Sequence, residues 1–222
     1  MNQVVITGVS RGIGEMLCEQ TLERKDLVCG VARKPEESEE LARLRQKYPE
    51  QLILVKGDVN DKSLGKKIIS ETGWSSIDLL INNAGIYRED NWEDFEATFV
   101  TNSIAPYFLT RELFPLLRKS QYPKAAFITS QMGSIADNHS GGSVSYRASK
   151  AALNMMVKSL SLDEPWLTSL LFHPGWVKTR MGGEKAPTAR EESSNKLLKL
   201  IHESEKKHSG SFRNFKGENL PW

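Results

Sequence analysis

Several features that would assign this 222-residue chain to a special class are scarce in it. Only two cysteines occur, Cys18 and Cys29, and they fall in a predicted helix and a predicted strand, so we expect buried thiols and no disulfide framework. The 30 basic and 28 acidic residues give a net charge of +2, too small a field to recruit nucleic acid or an anionic membrane. His139 and His173 have no acidic or cysteine partners at ligand spacing, which argues against a metal site.

Long apolar runs are also missing. No stretch approaches the roughly 20 apolar residues of a membrane-spanning helix. The first three residues lead directly into a predicted strand, without the charged and apolar regions of a secretory signal. There are no repeats and no convincing linker. We therefore expect one cytoplasmic domain, with a cofactor-binding part over roughly residues 1–125 and a catalytic and substrate part over roughly residues 126–222.

The chain has instead a regular alternation of short apolar runs and amphipathic segments. The runs predict strands at residues 4–7, 27–32, 52–57, 79–82, 125–129 and 168–173, with a weaker one at 211–215. Most are apolar throughout, as in parallel strands that helices cover on both faces. Helices are predicted at residues 13–25, 37–48, 62–70, 92–119, 143–160 and 189–202, the last opening with a capping box from Thr188 to Glu191. The fold class is therefore α/β, a single Rossmann-like doubly wound parallel sheet with ligands at the carboxyl ends of its strands.

The first predicted strand leads into the sequence TGVSRGIG at residues 7–14. Gly8, Gly12 and Gly14 would let the backbone turn tightly and approach a pyrophosphate, while the start of the following helix supplies amides and a partial positive charge. The spacing is GxxxGxG, which differs from the commoner GxGxxG fingerprint. The alternative is a loop whose glycines serve only the packing of helix on sheet. The strand–turn–helix context favours a dinucleotide site.

The end of the second predicted strand bears on which dinucleotide binds. Its residues 31–34 read VARK, with no acid before Glu36. A NAD site usually places an acid there to bind the ribose 2′-hydroxyl, whereas arginine accommodates a 2′-phosphate. Arg33 and Arg11 are two cations directed at the same pocket, and guanidinium groups match phosphate geometry. Either arginine alone would more often be a solvated surface charge, but the two together favour NADP(H) over NAD(H).

Four polar residues form a candidate catalytic set. Tyr146 and Lys150 are four apart on one face of a predicted helix, which follows the strand that ends at Ser130. Reduction of a carbonyl needs a proton donor, and Lys150 is predicted to lower the tyrosine pKa from about 10 toward neutrality. Ser130 would orient the substrate oxygen. Asn102 would hold a water that relays protons from Lys150, an ordinary polar helix residue being the alternative.

Together with NNAG at residues 82–85 and PGWVKT at residues 174–179, these motifs resemble the short-chain dehydrogenase/reductase family over essentially the whole chain. The stretches ITSQMGSIADNHSGGSVSYRASKAALNM, HPGWVKTRMGG and ENLPW resemble its C-factor-like and sniffer-like carbonyl reductase branch in particular. The resemblance implies that Tyr146 is the acid–base, that Ser130 orients the carbonyl, that Lys150 also binds the nicotinamide ribose, and that Asn102 completes the proton relay.

The resemblance also implies a cofactor cleft. Asp58 and Val59 would flank the adenine, and Val177 and Thr179 would hold the carboxamide. The full predicted cofactor-binding set is Gly8, Ser10, Arg11, Gly12, Ile13, Gly14, Arg33, Asp58, Val59, Asn83, Gly85, Tyr146, Lys150, Val177 and Thr179. The chain departs from the usual pattern in its short length and in a Gly-Gly loop at residues 141–142, and both changes touch the substrate side.

Two functions of different classes follow. The favoured one is an NADP(H)-dependent oxidoreductase acting on a small carbonyl or alcohol. The alternative is a C-factor-like nucleotide-binding signalling or interaction protein in which turnover is incidental or absent.

Residues 180–194 would form a mobile lid or an ordinary loop, and a homodimer or homotetramer is expected from the family. Residues that would line an apolar substrate pocket, or equally serve packing, are Tyr87, Met132, Trp176 and Met181.

Overall fold

The computed structural model describes all residues from 1 to 222 and contains seven strands in one parallel sheet. The strands are β1 Gln3–Thr7, β2 Leu27–Ala32, β3 Leu52–Lys56, β4 Leu79–Asn82, β5 Lys124–Ile128, β6 Thr168–His173 and β7 Phe212–Asn214. Their order is β3-β2-β1-β4-β5-β6-β7, and every neighbouring pair is parallel. The predicted doubly wound α/β fold is confirmed, including its weakest strand, β7.

Helices cover both faces of the sheet. They are α1 Gly12–Glu23, α2 Glu39–Lys47, α3 Leu64–Thr72, α4 Trp92–Phe99, α5 Ala105–Glu112, α6 Phe114–Leu117, α7 Val144–Asp163 and α8 Arg190–Glu203. Apolar residues of α1, α2 and α8 pack on one face, and those of α3, α5, α6 and α7 pack on the other. The strands are buried from both sides, which explains why their sequences are apolar throughout. None of the helices is both long enough and apolar enough to cross a membrane.

The single helix predicted over residues 92–119 is wrong, because the chain forms α4, a five-residue π turn at Val100–Ile104, α5 and α6. Pro106 has no amide hydrogen, so it cannot donate to the carbonyl of Asn102 as an α-helix would require, and its ring would clash with that carbonyl. The helix widens at this point, and the Ala105 amide donates to the Val100 carbonyl, five residues back. Proline in the sequence signalled this break.

The capping box predicted at Thr188 is also wrong. Helix α8 begins one residue later, after Ala189, and no side chain caps it. The backbone of Thr188 is engaged elsewhere, because its amide donates to the Trp176 carbonyl and its carbonyl accepts from the Lys178 amide. This pairing ties the segment before α8 to the loop that follows β6.

Candidate active site

The site begins where β1 lies between β2 and β4, the point at which the strand order reverses. The Thr7 hydroxyl accepts hydrogen bonds from the backbone amides of Asn83 and Ala84, each at 3.1 Å. The Asn83 side-chain amide donates back to the Thr7 carbonyl at 2.9 Å. These three bonds hold the glycine-rich loop after β1 against the NNAG turn after β4.

The glycines of the loop have two distinct roles. A Cβ on Gly14 would lie 2.2 Å from the Gly8 carbonyl oxygen, so Gly14 allows the start of α1 to pack against the loop itself. Gly12 has φ +65 and lies next to Thr179, where a Cβ would still find ordinary contact at 3.5 Å. Its backbone conformation, and not lack of space, requires glycine there. Gly14 is therefore required by close packing, and Gly12 by its backbone conformation.

A cleft of about 490 Å³ opens at this edge of the sheet. Its wall includes every residue of the predicted cofactor set except Val177, namely Gly8, Ser10, Arg11, Gly12, Ile13, Gly14, Arg33, Asp58, Val59, Asn83, Gly85, Tyr146, Lys150 and Thr179. The volume is within the range of small-molecule sites. The structure does not place Val177 on the wall, because its bridge to Thr188 holds it in a buried position.

Several wall residues were not predicted. They include Asn60, Ile86, Arg88, Thr101, Lys178, Arg180 and Arg190. Arg190 opens α8 and pairs at 3.3 Å with the nearly buried carboxylate of Glu15 on α1. Burial raises the pKa of Glu15, and Arg190 opposes that rise. The position of Lys178 and Arg180 just after β6 was a usable signal, since ligands gather at the carboxyl ends of strands, whereas nothing local marked Arg190.

The cleft is electrostatically suited to an anion. Seven cationic residues line it, against one acidic residue, Asp58. Arg11 and Arg33 are exposed and have no carboxylate partner. The acids nearest the end of β2 are engaged elsewhere, Glu36 by Lys56 and Glu37 by Lys34, each at 2.6 Å. The first two acids that follow β2 are therefore both ion-paired. The positive-φ glycine turn and these cations fit a phosphorylated dinucleotide.

Tyr146 and Lys150 lie one turn apart on α7 and both line the cleft. The Lys150 ammonium lies 5.8 Å from the centroid of the Tyr146 ring and donates to the Ile128 carbonyl at 2.9 Å. Ser130 follows β5, is buried, and accepts a hydrogen bond from the Met132 amide at 3.2 Å. Tyr146 and Lys150 thus line the cleft, whereas Ser130 lies next to Tyr146 but is not part of the cleft wall.

Asn102 lies behind these residues in the π turn. Its Oδ1 accepts from the Ile86 amide at 2.9 Å, and its Nδ2 donates to the Ile86 carbonyl at 2.9 Å and to the Ser149 hydroxyl at 3.1 Å. The side chain is therefore engaged in holding the chain after the NNAG turn. Its backbone carbonyl lacks the amide donor that an α-helix would provide, because residue 106 is proline. The proton relay through Asn102 stays a prediction.

Burial shifts the pKa values of both Tyr146 and Lys150. Burial raises the pKa of Tyr146 to about 12, although the nearby Ser130 hydroxyl opposes that rise. Burial also lowers the pKa of Lys150 to about 8. The expected fall in the tyrosine pKa is therefore wrong for the protein by itself. Spacing indicated the attraction between an ammonium and a phenolate, but not the cost of removing both groups from water.

The four side chains predicted either to line an apolar substrate pocket or to serve packing have different positions in the structure. The Tyr87 ring lies 5.0 Å from the Tyr146 ring, and Met181 lines the cleft. Trp176 is exposed, and its indole donates to the Gly182 carbonyl at 2.7 Å, which fastens the start of the predicted lid. Met132 is half-buried next to Ser130. Met181 thus has a pocket position, whereas Tyr87 packs against Tyr146 and is not part of the cleft wall. Lid motion stays a prediction.

Comparison with known proteins gives consistent matches. The short chain dehydrogenase family profile matches residues 2–190. The C-signal protein of Myxococcus xanthus is 41% identical over 155 residues, which cover 66% of this chain and 93% of that protein. The carbonyl reductase Sniffer of D. melanogaster is 30% identical with a TM-score of 0.94, and the match covers 100% of both chains. A carbonyl reductase from Pseudomonas aeruginosa PAO1 in complex with NADP is 38% identical with a TM-score of 0.88, also over 100% of both chains.

Proposed function

This chain belongs to the short-chain dehydrogenase family, and we propose that it is an NADP(H)-dependent oxidoreductase that transfers hydride between the nicotinamide and a small carbonyl or alcohol. The observation that carries the proposal is that Tyr146 and Lys150 line the same cleft as the glycine loop. A protein that only binds a nucleotide has no need of a buried tyrosine and a buried lysine on the wall of its cleft, with a buried serine next to the tyrosine. Their presence together supports chemistry at this place.

The choice of cofactor rests on the charge of the cleft. Arg11 and Arg33 lack carboxylate partners and lie on the cleft wall, where a 2′-phosphate would be paired by their guanidinium groups. The ion pair of Glu36 with Lys56 supports the same choice, because it engages the first acid that follows β2. The NADP complex of the Pseudomonas aeruginosa carbonyl reductase adds a related example.

The residues have separable parts in the reduction. The bound nicotinamide would supply hydride to the carbonyl carbon. The Tyr146 hydroxyl donates its proton to the carbonyl oxygen, so that the carbonyl gains one hydride and one proton and becomes an alcohol. Burial raises the pKa of Tyr146 to about 12, so the phenol carries the proton at neutral pH. Ser130 donates a hydrogen bond to the same oxygen, and the Lys150 ammonium stabilises the phenolate that remains.

The test measures turnover with a panel of small aldehydes and ketones, and the loss of NADPH absorbance reports the rate. We expect wild type to oxidise NADPH in the presence of at least one carbonyl, and Tyr146→Phe to lose nearly all turnover while it still binds NADPH. Tyr122→Phe is the matched control, because that tyrosine is exposed on the surface and outside the cleft. Substantial turnover by Tyr146→Phe would contradict the proposed proton donor.

The similarity to the C-signal protein favours one second candidate, a nucleotide-binding signalling or interaction protein. The same experiment separates the two functions. Binding of NADPH without turnover on any carbonyl of the panel would favour the second candidate over the first.

We also propose that the protein forms a homodimer or homotetramer. Helices α5 and α7 present exposed apolar side chains, namely Ile104 just before α5, Phe108, Met155 and Leu162. A second copy would remove this apolar surface from water. Light scattering of wild type and of a Phe108→Glu, Met155→Glu variant tests the proposal, which predicts that the variant is monomeric.

A reducing cytoplasm is proposed from the two free, buried cysteines, Cys18 and Cys29.

A further inference from the structure

Residues 86–90, which we call the strap, connect Asn102 to the start of the helix that carries Tyr146. Asn102 holds the first residue of the strap, Ile86, by both its amide and its carbonyl. Tyr87 then packs its ring 5.0 Å from the Tyr146 ring, and its hydroxyl makes a 2.5 Å hydrogen bond with the Ser143 hydroxyl. The strap therefore contacts both the residue that precedes α7 and the first turn of that helix.

Asp90, at the end of the strap, caps α7 from a distance of more than 50 residues in the sequence. Its two carboxylate oxygens accept hydrogen bonds from the backbone amides of Val144 and Ser145, each at 2.8 Å. These amides hold the pKa of Asp90 below its usual value. Because the first four amides of a helix have no intrahelical acceptor, the carboxylate satisfies two of them and places negative charge at the positive end of the helix.

No other side chain caps the start of α7. The residue before the helix, Ser143, makes no side-chain cap and has φ +48, a left-handed conformation that costs energy for a non-glycine residue. Gly141 and Gly142 precede it with φ values of +64 and +66. Three left-handed residues in a row cannot extend the helix backward. The Arg147 side chain fastens this loop by donating to the Gly141 and Gly142 carbonyls, but only the strap provides a side-chain acceptor for the first two amides of α7.

We infer that Asp90 is a positioning residue for Tyr146: by capping the first turn of α7 it holds the phenol hydroxyl where the substrate carbonyl is presented. Tyr146 is the third residue of this helix, so any fraying of the first turn moves it directly. The inference rests on the proposed function, in which Tyr146 is the proton donor. Asp90 itself is exposed and does not line the cleft, so it acts through the helix and not on the ligand.

The test compares Asp90→Ala, Asp90→Asn and the control Glu89→Ala. Asparagine keeps one side-chain oxygen that accepts an amide, whereas alanine keeps none. Glu89 is the exposed neighbour with the same charge, and its side chain makes no hydrogen bond or ion pair in the structure. The three variants therefore separate loss of charge from loss of the cap.

We expect Asp90→Ala to lower kcat about 10- to 100-fold, because a misplacement of a catalytic group by about 1 Å has an effect of this size. Its Kd for NADPH should stay within about twofold of wild type, since the phosphate and ribose contacts are elsewhere. Asp90→Asn should recover most of kcat, and Glu89→Ala should match wild type. Amide hydrogen exchange should accelerate at residues 144–146 in Asp90→Ala and remain unchanged over β1 and α1.

Three results would overturn the inference. The first is a kcat for Asp90→Ala within about twofold of wild type despite faster exchange at residues 144–146, which would make the cap structural only. The second is a parallel loss of kcat and NADPH affinity, which would indicate general damage. The third is an equal loss in Glu89→Ala. Absence of turnover in wild type would instead overturn the proposed function, and the inference with it.

Discussion

The proposed function includes a preference for NADPH over NADH, and replacement of both Arg11 and Arg33 by alanine should reduce that preference to near indifference. Hydrogen bonds to a charged group contribute about 1.5–3 kcal/mol each, and the lower end applies here because both side chains are exposed to solvent. Two such contacts with the 2′-phosphate sum to about 3 kcal/mol, which is about a 100-fold loss of NADPH affinity. NADH lacks that phosphate, so its Kd should change by no more than about twofold.

The measurement is a fluorescence titration of both cofactors against wild type and the double variant. Arg45→Ala is the matched control, since this exposed arginine of α2 does not line the cleft and has no carboxylate partner. The wild-type preference should also weaken as salt is added, because exposed charges are screened. Equal losses of affinity for NADPH and NADH would refute the reasoning, since both arginines would then contact a part that the two cofactors share.

Two further predictions concern the catalytic helix and the glycine loop. The Lys150 ammonium is charged below its pKa of about 8 and neutral above it, so kcat/KM for carbonyl reduction should fall as the pH rises through about 8. Lys150→Met should be slow at every pH and lack that transition, and an unchanged pH profile would show that the lysine charge has no part. Gly14→Ala should lower the free energy of unfolding in urea by at least about 2 kcal/mol, because its methyl group would lie 2.2 Å from the Gly8 carbonyl oxygen. An unchanged free energy of unfolding in that variant would show that the glycine loop shifts at little cost to accommodate the added methyl group.

The fold was predictable because its signals are local. Apolar runs of strand length separated by amphipathic segments are compatible with a parallel sheet covered on both faces, and the structure confirms all seven strands. The cofactor cleft was predictable for a related reason. In a parallel sheet, the residues that follow each strand meet at one edge. The proximity of Gly12 after β1, Arg33 after β2 and Asn83 after β4 could therefore be predicted from the strand order, before any contact was known.

Local sequence also contained one signal that pattern reading missed. Pro106 interrupts an otherwise continuous helical pattern, and its missing amide explains the π turn that contains Asn102. The start of α8 was misplaced for the opposite reason. Thr188 and Glu191 fit a capping box locally, but the backbone of Thr188 pairs with the loop after β6, a partner that no local pattern reveals.

The electrostatic state of the site and the support of helix α7 depend on contacts between segments that are distant in the sequence. The sequence determined that Lys150 lies one turn from Tyr146, and with it the sign of their attraction. Their pKa values depend on how completely neighbouring elements exclude water, and burial outweighs that attraction in the protein by itself. Likewise, Asp90 caps α7 because folding brings the two segments together. Desolvation and long-range hydrogen bonds depend on three-dimensional neighbours, which residue spacing along the chain does not specify.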